Sequence, residues 1–174
     1  DPLGCHVVSF KKPNEDDMDH GFLWRIQRHA PAHGEVAIFN RSHYEDVLIT
    51  RVHEWIDTPE CKRRYRQINE WERYLTETGT TILKFCLHIS KDEQKQRLEE
   101  RLKDPGKLWK FSEQDVVERK LWDKYQHVYD DALTATSTDH APWYVIPADR
   151  KWVRNLAVAE VLVETLEGMK LKLP

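Results

Sequence analysis

The sequence has few cysteines, no apolar run long enough to cross a membrane and no excess of positive charge. Its three cysteines, Cys5, Cys61 and Cys86, are odd in number and form no C-x-x-C pair, so neither a disulfide framework nor a zinc site is expected. The net charge of -3 argues against a general nucleic-acid coat, and a polyanion would need a local cluster of positive charge. No run approaches the roughly 20 apolar residues of a membrane span, and we expect no signal peptide. We therefore expect a cytoplasmic protein with neither nucleic acid nor membrane as a partner.

Length and composition are those of one globular domain. Hydrophobic residues make up 40% of the 174 residues and charged residues 33%, a balance that allows a buried core beneath a solvated surface. Four apolar runs are continuous rather than alternating, which is typical of parallel strands covered by helices on both faces. They lie at 5–10, 36–39, 81–89 and, more weakly, 143–146. The sequence thus predicts a single domain over residues 1–174.

The segments between these runs predict helices. Apolar spacing places helices over 18–29, 62–78 and 151–166. Ser90 and Ser112 are N-cap candidates, which predict further helices to about residue 103 and about residue 135. The triplet Asp104-Pro105-Gly106 separates these two helices, which would project from the rest. Alternation of strand and helix predicts an α/β fold with right-handed crossovers.

The first pattern with chemical meaning follows the second strand, in the run Asn40-Arg41-Ser42-His43-Tyr44-Glu45-Asp46. If a helix begins near residue 42 or 43, Asn40 and Arg41 stand at the carboxyl end of the strand, where α/β sheets place ligands. Arg41 can bind phosphate oxygens through its guanidinium fork. Glu45 and Asp46 are close enough to hold Mg²⁺, directly or through its waters. The alternative is an ordinary helix N-terminus with acidic residues and one salt bridge.

The second pattern is a stripe of positive charge. Arg97 and Arg101 are one helical turn apart and share a helix face. Lys103, Lys107 and Lys110 follow, and residues 94–110 contain six basic and three acidic side chains on a chain that is acidic overall. A stripe beside a Pro-Gly break suits a mobile lid that closes over a phosphate chain. A solvated helix laced with acidic residues is the alternative.

A third pattern precedes the last helix. Asp149 is a natural N-cap, and Arg150, Lys151 and Arg154 could reach phosphates or a nucleotide. The capping role of Asp149 is favoured over direct catalysis.

Six segments, in chain order, resemble the polyphosphate kinase 2 family, in particular the subgroup that phosphorylates both nucleoside monophosphates and diphosphates. The segments are Val8-Ser9-Phe10-Lys11, Phe22-Leu23-Trp24-Arg25, residues 39–48, Asp104-Pro105-x-Lys107-x-Trp109-Lys110-Phe111-Ser112, Ala141-Pro142-Trp143-Tyr144-Val145, and Ala148-Asp149-Arg150-Lys151-Trp152 with Arg154-Asn155-Leu156. So many matches in order are highly specific, and the resemblance runs from residue 2 to residue 174.

The resemblance implies a P-loop-kinase-like, three-layer αβα fold with a parallel sheet and a helical lid within 91–136. It implies a phosphotransferase, useful for ATP regeneration, that works between inorganic polyphosphate and adenine or guanine nucleotides and converts AMP or ADP to ADP or ATP. Mg²⁺, or Mn²⁺ in its place, is the implied cofactor, and a homodimer or homotetramer is the implied assembly.

The resemblance also assigns roles to individual residues. Asn40 and Arg41 stand in the second Walker-type motif, where many relatives have Asp-Arg, and Glu45 and Asp46 complete the catalytic group. The implied metal ligands are Glu45 and Asp46. The implied nucleotide contacts are Arg41, Glu45, Asp149 and Arg150, and the implied polyphosphate contacts are Arg97, Arg101, Lys103, Lys107 and Lys110.

Two departures from the family pattern matter. Leu108 stands where relatives often carry arginine, so one positive charge of the lid is missing. The family's glycine-rich P-loop lies upstream of the match to Asp1, and nothing of the form G-x-x-x-x-G-K occurs in this sequence. The central strand before that loop would be absent too, which would leave unpaired backbone groups and exposed apolar surface. We therefore expect the chain, which opens without methionine, to be a fragment.

Two other functions compete with phosphotransfer. One is a catalytically incompetent fragment that binds polyphosphate or nucleotide without the backbone nest of a P-loop. The other is a nucleoside monophosphate kinase with ATP as donor, which the match of the lid to the polyphosphate family disfavours. The presence of a P-loop in the full-length protein would distinguish phosphotransfer from mere binding by a fragment. Whether polyphosphate or ATP serves as donor would distinguish phosphotransfer from polyphosphate from a nucleoside monophosphate kinase.

Overall fold

The computed structural model describes residues 4–171, which form four parallel strands and eight α-helices. The strands are β1 (Cys5–Ser9), β2 (Val36–Asn40), β3 (Lys84–His88) and β4 (Trp143–Pro147). The helices are α1 (Glu15–Met18), α2 (Trp24–Gln27), α3 (Ile49–Val52), α4 (Thr58–Glu77), α5 (Lys91–Lys103), α6 (Glu113–Arg119), α7 (Trp122–Thr136) and α8 (Lys151–Gly168), with short 3₁₀ helices at His43–Asp46 and Leu108–Lys110. The predicted α/β class with parallel strands is confirmed.

The strands form two parallel pairs rather than one continuous sheet within the described part of the chain. β1 pairs with β2 in a register that sets Cys5 opposite Val36. β3 pairs with β4 in a register that sets Lys84 opposite Trp143. The helices between paired strands serve as the crossovers that a parallel pairing requires.

The prediction that the strands are covered on both faces is wrong for the described residues. The side chains of Val7 (66% exposed), Ile38 (50%) and Val145 (57%) lie open to solvent. Successive side chains of a strand point to opposite faces. One face of each pair therefore stays uncovered while the other packs inward.

The chain divides into two compact units. The first comprises the residues up to Ile82 together with Asp123–Pro142, and the second comprises Leu83–Trp122 and the residues from Trp143 onward. The first unit therefore contains β1, β2, α1–α4 and nearly all of α7, with Ile26 and Ile68 wholly buried in its core. The second contains β3, β4, α5, α6 and α8.

Polar caps explain most of the helix boundaries. The Ser90 hydroxyl accepts a hydrogen bond from the Glu93 amide at 3.1 Å, which confirms the predicted start of α5. The Ser112 hydroxyl likewise caps α6. Helix α4 begins earlier than predicted, at Thr58, because the Asp57 carboxylate accepts from the Glu60 amide at 2.8 Å.

Two predicted helices are each divided in the structure. The predicted helix over 18–29 is wrong: α1 ends at Met18 and α2 begins at Trp24, since Asp19, His20 and Gly21 form helices poorly. The predicted helix over 112–135 is also wrong. It breaks after Arg119, where the next two residues make i→i+3 hydrogen bonds of the 3₁₀ type.

Among residues 4–171, no helix combines the length and the apolar composition that crossing a membrane would require.

Candidate active site

The chain bends directly after β2, at Arg41. Arg41 has a φ of 60°, in the left-handed region that a non-glycine residue adopts only where its surroundings enforce it. The preceding carbonyl, of Asn40, accepts a hydrogen bond from the Phe10 amide at 3.2 Å and so fixes the end of the strand. Both Asn40 and Arg41 are exposed. The turn therefore presents them at the carboxyl end of the β1–β2 pair, as predicted.

The residues after Arg41 form a short 3₁₀ helix rather than the start of a long α-helix. Ser42 caps it, because its hydroxyl accepts from the Tyr44 amide at 3.3 Å. The 3₁₀ helix covers His43–Asp46, and α3 follows separately at Ile49. A helix thus begins at residue 43, as the sequence suggested, and it is a short 3₁₀ helix.

Arg25 anchors the acidic end of this turn. Its guanidinium Nη2 lies 3.5 Å from the Asp46 carboxylate Oδ2, and its Nη1 donates to the Lys11 carbonyl at 2.9 Å. The Arg25 side chain is 10% exposed, and its guanidinium also lies 5.7 Å from the centre of the Phe10 ring. A buried, doubly bound arginine fixes Asp46 relative to the loop after β1.

Helix α4 holds the backbone of the same turn. Arg64 donates from Nη1 to the Asp46 carbonyl at 2.8 Å, and the Glu60 carboxylate accepts from Arg64 Nε at 2.8 Å. The Thr50 hydroxyl donates to the same Asp46 carbonyl at 2.7 Å. Asp46 is therefore fixed through both its side chain and its main chain.

The two carboxyl groups of the turn are harder to ionise than usual. Burial raises the pKa of Glu45 against the attraction of Arg41, and the neighbouring Asp46 adds to the rise. Burial also raises the pKa of Asp46, against the attraction of Arg25 and Arg64. Desolvation disfavours the charged form of a carboxyl group. A cation bound beside these groups would favour their ionised forms.

A second pair of residues in the 3₁₀ helix contacts α4 from the buried side. The Tyr44 hydroxyl donates to Glu72 Oε1 at 2.9 Å, and His43 Nε2 lies 3.4 Å from the same oxygen. Glu72 is wholly buried, and His43 and Tyr44 are 5% and 4% exposed. Sequence reasoning missed Glu72, because a charged residue of an amphipathic helix is expected on its exposed face, whereas Glu72 is buried.

The predicted cationic stripe lies in the second unit, where its arginines are already engaged. Arg97 donates from Nη2 to the carbonyls of Ala148 (2.7 Å) and Asp149 (3.1 Å), and its Nε pairs with Glu93 Oε1 at 2.6 Å. These bonds tie α5 to the segment after β4. The guanidinium of Arg97 is therefore already bound by groups of the second unit.

The remaining stripe residues are more exposed. The Arg101 and Asp115 side chains form an ion pair at 3.2 Å, and the Lys107 ammonium lies 2.9 Å from the Asp104 carboxylate. The Lys103 side chain is 78% exposed. The Lys110 ammonium lies 4.9 Å from the centre of the Trp109 ring. Exposed lysines are available to an anion at little cost, because surface ion pairs are weak.

Asp149 does not cap the last helix, and this prediction is wrong. Its carboxylate accepts from the Ser90 amide at 2.7 Å, and this hydrogen bond lowers the pKa of Asp149. The N-cap position of α8 is occupied by Arg150, whose side chain makes no capping bond. Asp149 instead joins the loop after β4 to the start of α5, which the sequence separation of 59 residues concealed.

The structure brings together one set of predicted site residues. Asn40, Arg41, Glu45 and Asp46 lie in one turn of the first unit, while the stripe, Asp149 and Arg150 belong to the second. Arg25, Arg64 and Glu72 complete the surroundings of the turn. Of these three residues, Arg25 could have been found from the sequence, because it ends one of the segments that resemble the family.

The carboxylates of the turn could hold a hard divalent cation. Within residues 4–171, no group of three or more His, Cys, Asp or Glu side chains is placed to hold a metal ion. Mg²⁺ commonly binds through only one or two carboxylates, together with substrate phosphates and waters. Glu45 and Asp46 supply donors of this kind, and burial raises the pKa of both carboxyl groups.

The sequence matches one protein family throughout. The profile of the family described as Polyphosphate kinase 2 (PPK2) matches residues 1–174. An "AMP/ADP-polyphosphate phosphotransferase" of Meiothermus ruber is 53% identical over 173 residues, which are 99% of this chain and 65% of that protein. An "ADP-polyphosphate phosphotransferase" of Rhodopseudomonas palustris is 44% identical, over 99% of this chain and 64% of that protein.

A solved structure has the same fold. The crystal structure of Polyphosphate Kinase 2 from Arthrobacter aurescens TC1 superposes with a TM-score of 0.98 at 51% sequence identity. The match covers all of this chain and 62% of that one. The chain thus spans just under two thirds of the length of these relatives.

Proposed function

Because the chain belongs to the polyphosphate kinase 2 family, we propose that it serves in a phosphotransferase that works between inorganic polyphosphate and nucleoside mono- or diphosphates. In the direction of nucleotide synthesis, the bond from the terminal phosphorus of polyphosphate to its bridging oxygen breaks. A terminal phosphate oxygen of AMP or ADP forms the new bond to that phosphorus. The products are ADP or ATP and a polyphosphate that is one unit shorter.

The turn after β2 is the observation that carries this proposal. It combines the exposed guanidinium of Arg41 with the carboxylates of Glu45 and Asp46 within six residues. Phosphoryl transfer needs little covalent chemistry from a protein, and catalysis rests on alignment and on neutralising charge. Arg41 would bind the phosphoryl group during transfer, and Asn40 would orient a phosphate oxygen or a water.

Mg²⁺, or Mn²⁺ in its place, would bind at the carboxylates of Glu45 and Asp46. Such an ion would neutralise phosphate charge and align the nucleotide. The residues of the chain hold these two carboxylates in place: Arg25 and Arg64 fix Asp46, and burial keeps Glu45 poorly solvated.

The cations of the second unit would bind the polyphosphate chain. Lys103, Lys107 and Lys110 are the exposed members and would contact phosphate directly. Arg97 is bound to the carbonyls after β4, so its first role would be to hold α5 in place. Arg101 would leave its ion pair with Asp115 and bind a phosphate oxygen, because breaking an exposed ion pair costs little free energy.

The remaining features follow from membership in the family. We propose a P-loop-kinase-like three-layer arrangement with the lid within 91–136, which the superposition on the Arthrobacter aurescens structure supports. Asp149 and Arg150, beside the start of α8, would contact the nucleotide. The assembly would be a cytoplasmic homodimer or homotetramer.

A direct assay tests the proposed function. ATP formation from ADP, and separately ADP formation from AMP, would be measured with long-chain polyphosphate and Mg²⁺. The assay would compare the 174-residue chain with a chimera that adds the part of the Meiothermus ruber relative which this chain does not match. We expect transfer with polyphosphate as donor in the chimera.

The outcomes separate the competing functions. Activity in the 174-residue chain alone would mean that its own residues suffice for transfer. Binding of polyphosphate without transfer in either protein would indicate a binding module and contradict the proposed function. Transfer with ATP but not with polyphosphate as donor would indicate a nucleoside monophosphate kinase.

A further inference from the structure

A carboxylate lies wholly buried in the middle of α4, in the first unit. Glu72 has no exposed surface, and its Oε1 atom receives the Tyr44 hydroxyl at 2.9 Å. His43 Nε2 lies 3.4 Å from the same oxygen, and both ring-bearing residues are themselves buried. A buried carboxylate is costly unless hydrogen bonds satisfy it. The Tyr44 hydroxyl and the His43 ring therefore contribute to satisfying the Glu72 carboxylate.

The partners of Glu72 are the first two residues of the 3₁₀ helix His43–Asp46. The last two residues of the same helix are Glu45 and Asp46, the carboxylates of the candidate site. Four residues of 3₁₀ helix make little more than one turn. Whatever fixes the first two residues of this helix therefore also fixes the direction of the last two.

Two further contacts restrict the turn from the same side. The His43 ring meets the Trp71 ring edge to face, with 4.9 Å between their centres. Arg64, two helical turns before Glu72 on α4, donates to the Asp46 carbonyl at 2.8 Å. Helix α4 therefore holds the turn near both ends, at one end through Glu72 and at the other through Arg64.

We infer that Glu72 is a positioning residue for phosphoryl transfer, which acts through Tyr44 and His43 to hold the carboxylates of Glu45 and Asp46 in their working orientation. This inference rests on the proposed function. An apolar side chain of similar volume would fill the same space at a lower desolvation cost. A hydrogen-bond acceptor at residue 72, unlike an apolar side chain, also restricts the orientation of the Tyr44 hydroxyl and thereby adds to what holds the turn.

Substitution of Glu72 separates positioning from packing. Glu72→Met keeps the volume and removes the acceptor, and Glu72→Gln retains an oxygen that accepts from the Tyr44 hydroxyl. The substitutions would be made in whichever protein transfers phosphate, the 174-residue chain or the chimera. There we expect Glu72→Met to lower kcat by about tenfold or more, while KM for polyphosphate changes by less than about threefold. Glu72→Gln should stay within about threefold of the unchanged protein. Glu70→Met, an exposed site on the same helix, is the matched control and should have no effect.

Amide hydrogen exchange over residues 40–50 provides a readout that does not need activity. We expect Glu72→Met to speed exchange in this segment about tenfold, while exchange in α4 away from residue 72 stays unchanged. Circular dichroism would verify that the variant is folded. Tyr44→Phe, which removes a single oxygen, should give a smaller change of the same kind. If Glu72→Met does not fold, Tyr44→Phe provides the test instead.

The results distinguish the inference from the proposed function. Unchanged exchange at 40–50 in both variants overturns the positioning role, whatever the activity. A kcat of Glu72→Met within twofold of the unchanged protein also overturns it, and so does an equal loss in Glu72→Gln and Glu72→Met. If neither the 174-residue chain nor the chimera transfers a phosphoryl group from polyphosphate, the proposed function fails, while the exchange measurement still decides whether Glu72 holds the turn.

Discussion

Arg25 and Asp46, 21 residues apart, meet at 3.5 Å beneath the turn that follows β2. Arg25 also binds the Lys11 carbonyl at 2.9 Å. A single guanidinium thus joins the segment after β1 to the acidic end of the turn after β2. The candidate site is built on this connection between the ends of two neighbouring parallel strands.

Removing that connection should weaken both the fold and the site. Arg25→Met leaves Asp46 and the Lys11 carbonyl without this partner, and we expect a loss of about 1.5–3 kcal/mol in the free energy of unfolding. Chemical denaturation, monitored by tryptophan fluorescence, measures this free energy. Arg28→Met, an exposed arginine near the end of α2, is the control and should change the free energy by less than about 0.5 kcal/mol. Equal effects of the two substitutions would contradict a special role for Arg25.

Arg41 should be essential to turnover and nearly neutral for folding. The side chain is exposed after β2, and its backbone φ of 60° is strained for any side chain. We expect Arg41→Ala to lower kcat by about 10²-fold or more in the active protein, because it removes transition-state charge stabilisation. Thermal unfolding should shift little. A near-normal rate would remove Arg41 from the mechanism.

Lysine at the same position gives a sharper test of Arg41. Arg41→Lys keeps the charge but not the planar fork that binds two phosphate oxygens. A rate between those of Arg41→Ala and the unchanged protein would show that fork geometry contributes in addition to charge. Rates equal to that of the unchanged protein would assign the effect to charge alone.

Glu45 should reduce stability near neutral pH. Burial raises its folded-state pKa above the ordinary value of 4.5, so the ionised carboxylate costs stability at pH values above that raised pKa. The cost disappears as the pH falls below 4.5, where the group is protonated in both folded and unfolded states. We therefore expect Glu45→Gln to raise Tm near neutral pH and to lose this advantage in acid.

Two measurements complete the test of Glu45. Tm would be measured across pH for Glu45→Gln and for Glu77→Gln, an exposed site at the end of α4 that should show no comparable trend. Mg²⁺ should raise the Tm of the unchanged protein near neutral pH more than that of Glu45→Gln, because a ligand of the folded state stabilises it. Equal responses to Mg²⁺ would remove Glu45 from the metal site.

Lys107 and Lys110 should govern the binding of polyphosphate. Both are exposed in the stretch after α5, and neither is held by a buried partner. The double substitution Lys107→Ala and Lys110→Ala should raise KM for polyphosphate about tenfold and weaken its dependence on salt, because fewer ionic contacts are made. Lys95→Ala, on the exposed surface of α5, is the control. A rise in KM for the nucleotide alone would contradict the assignment.

The sequence predicted the elements whose signals are local. The hydroxyl of Ser90 and the apolar run of β2 act on their nearest neighbours along the chain, so the start of α5 and the position of the turn at Arg41 could be predicted. Sequence reasoning failed where two local preferences competed. The apolar spacing of 18–29 suggested one helix, but Asp19, His20 and Gly21 divide it.

The contacts that fix the candidate site depend on distant residues. Asp149 looked like a helix cap because its neighbours permit that role, yet its carboxylate binds the Ser90 amide 59 residues away. Glu72 is buried on α4, although a charged residue of an amphipathic helix is expected on its exposed face. Nothing in its local sequence indicates that Tyr44 and His43 supply its hydrogen bonds.

The sequence by itself determined the α/β class, the parallel strands, the turn that presents Asn40 and Arg41, and the family, because these depend on short-range patterns and on ordered motifs. Only the tertiary structure decided that Arg25 and Arg64 fix Asp46, that Arg97 is bound to the carbonyls after β4, and that Glu72 lies buried under the turn. The physical reason is that hydrogen bonds and desolvation act between atoms that are close in space. Folding sets those distances between residues that are far apart along the chain.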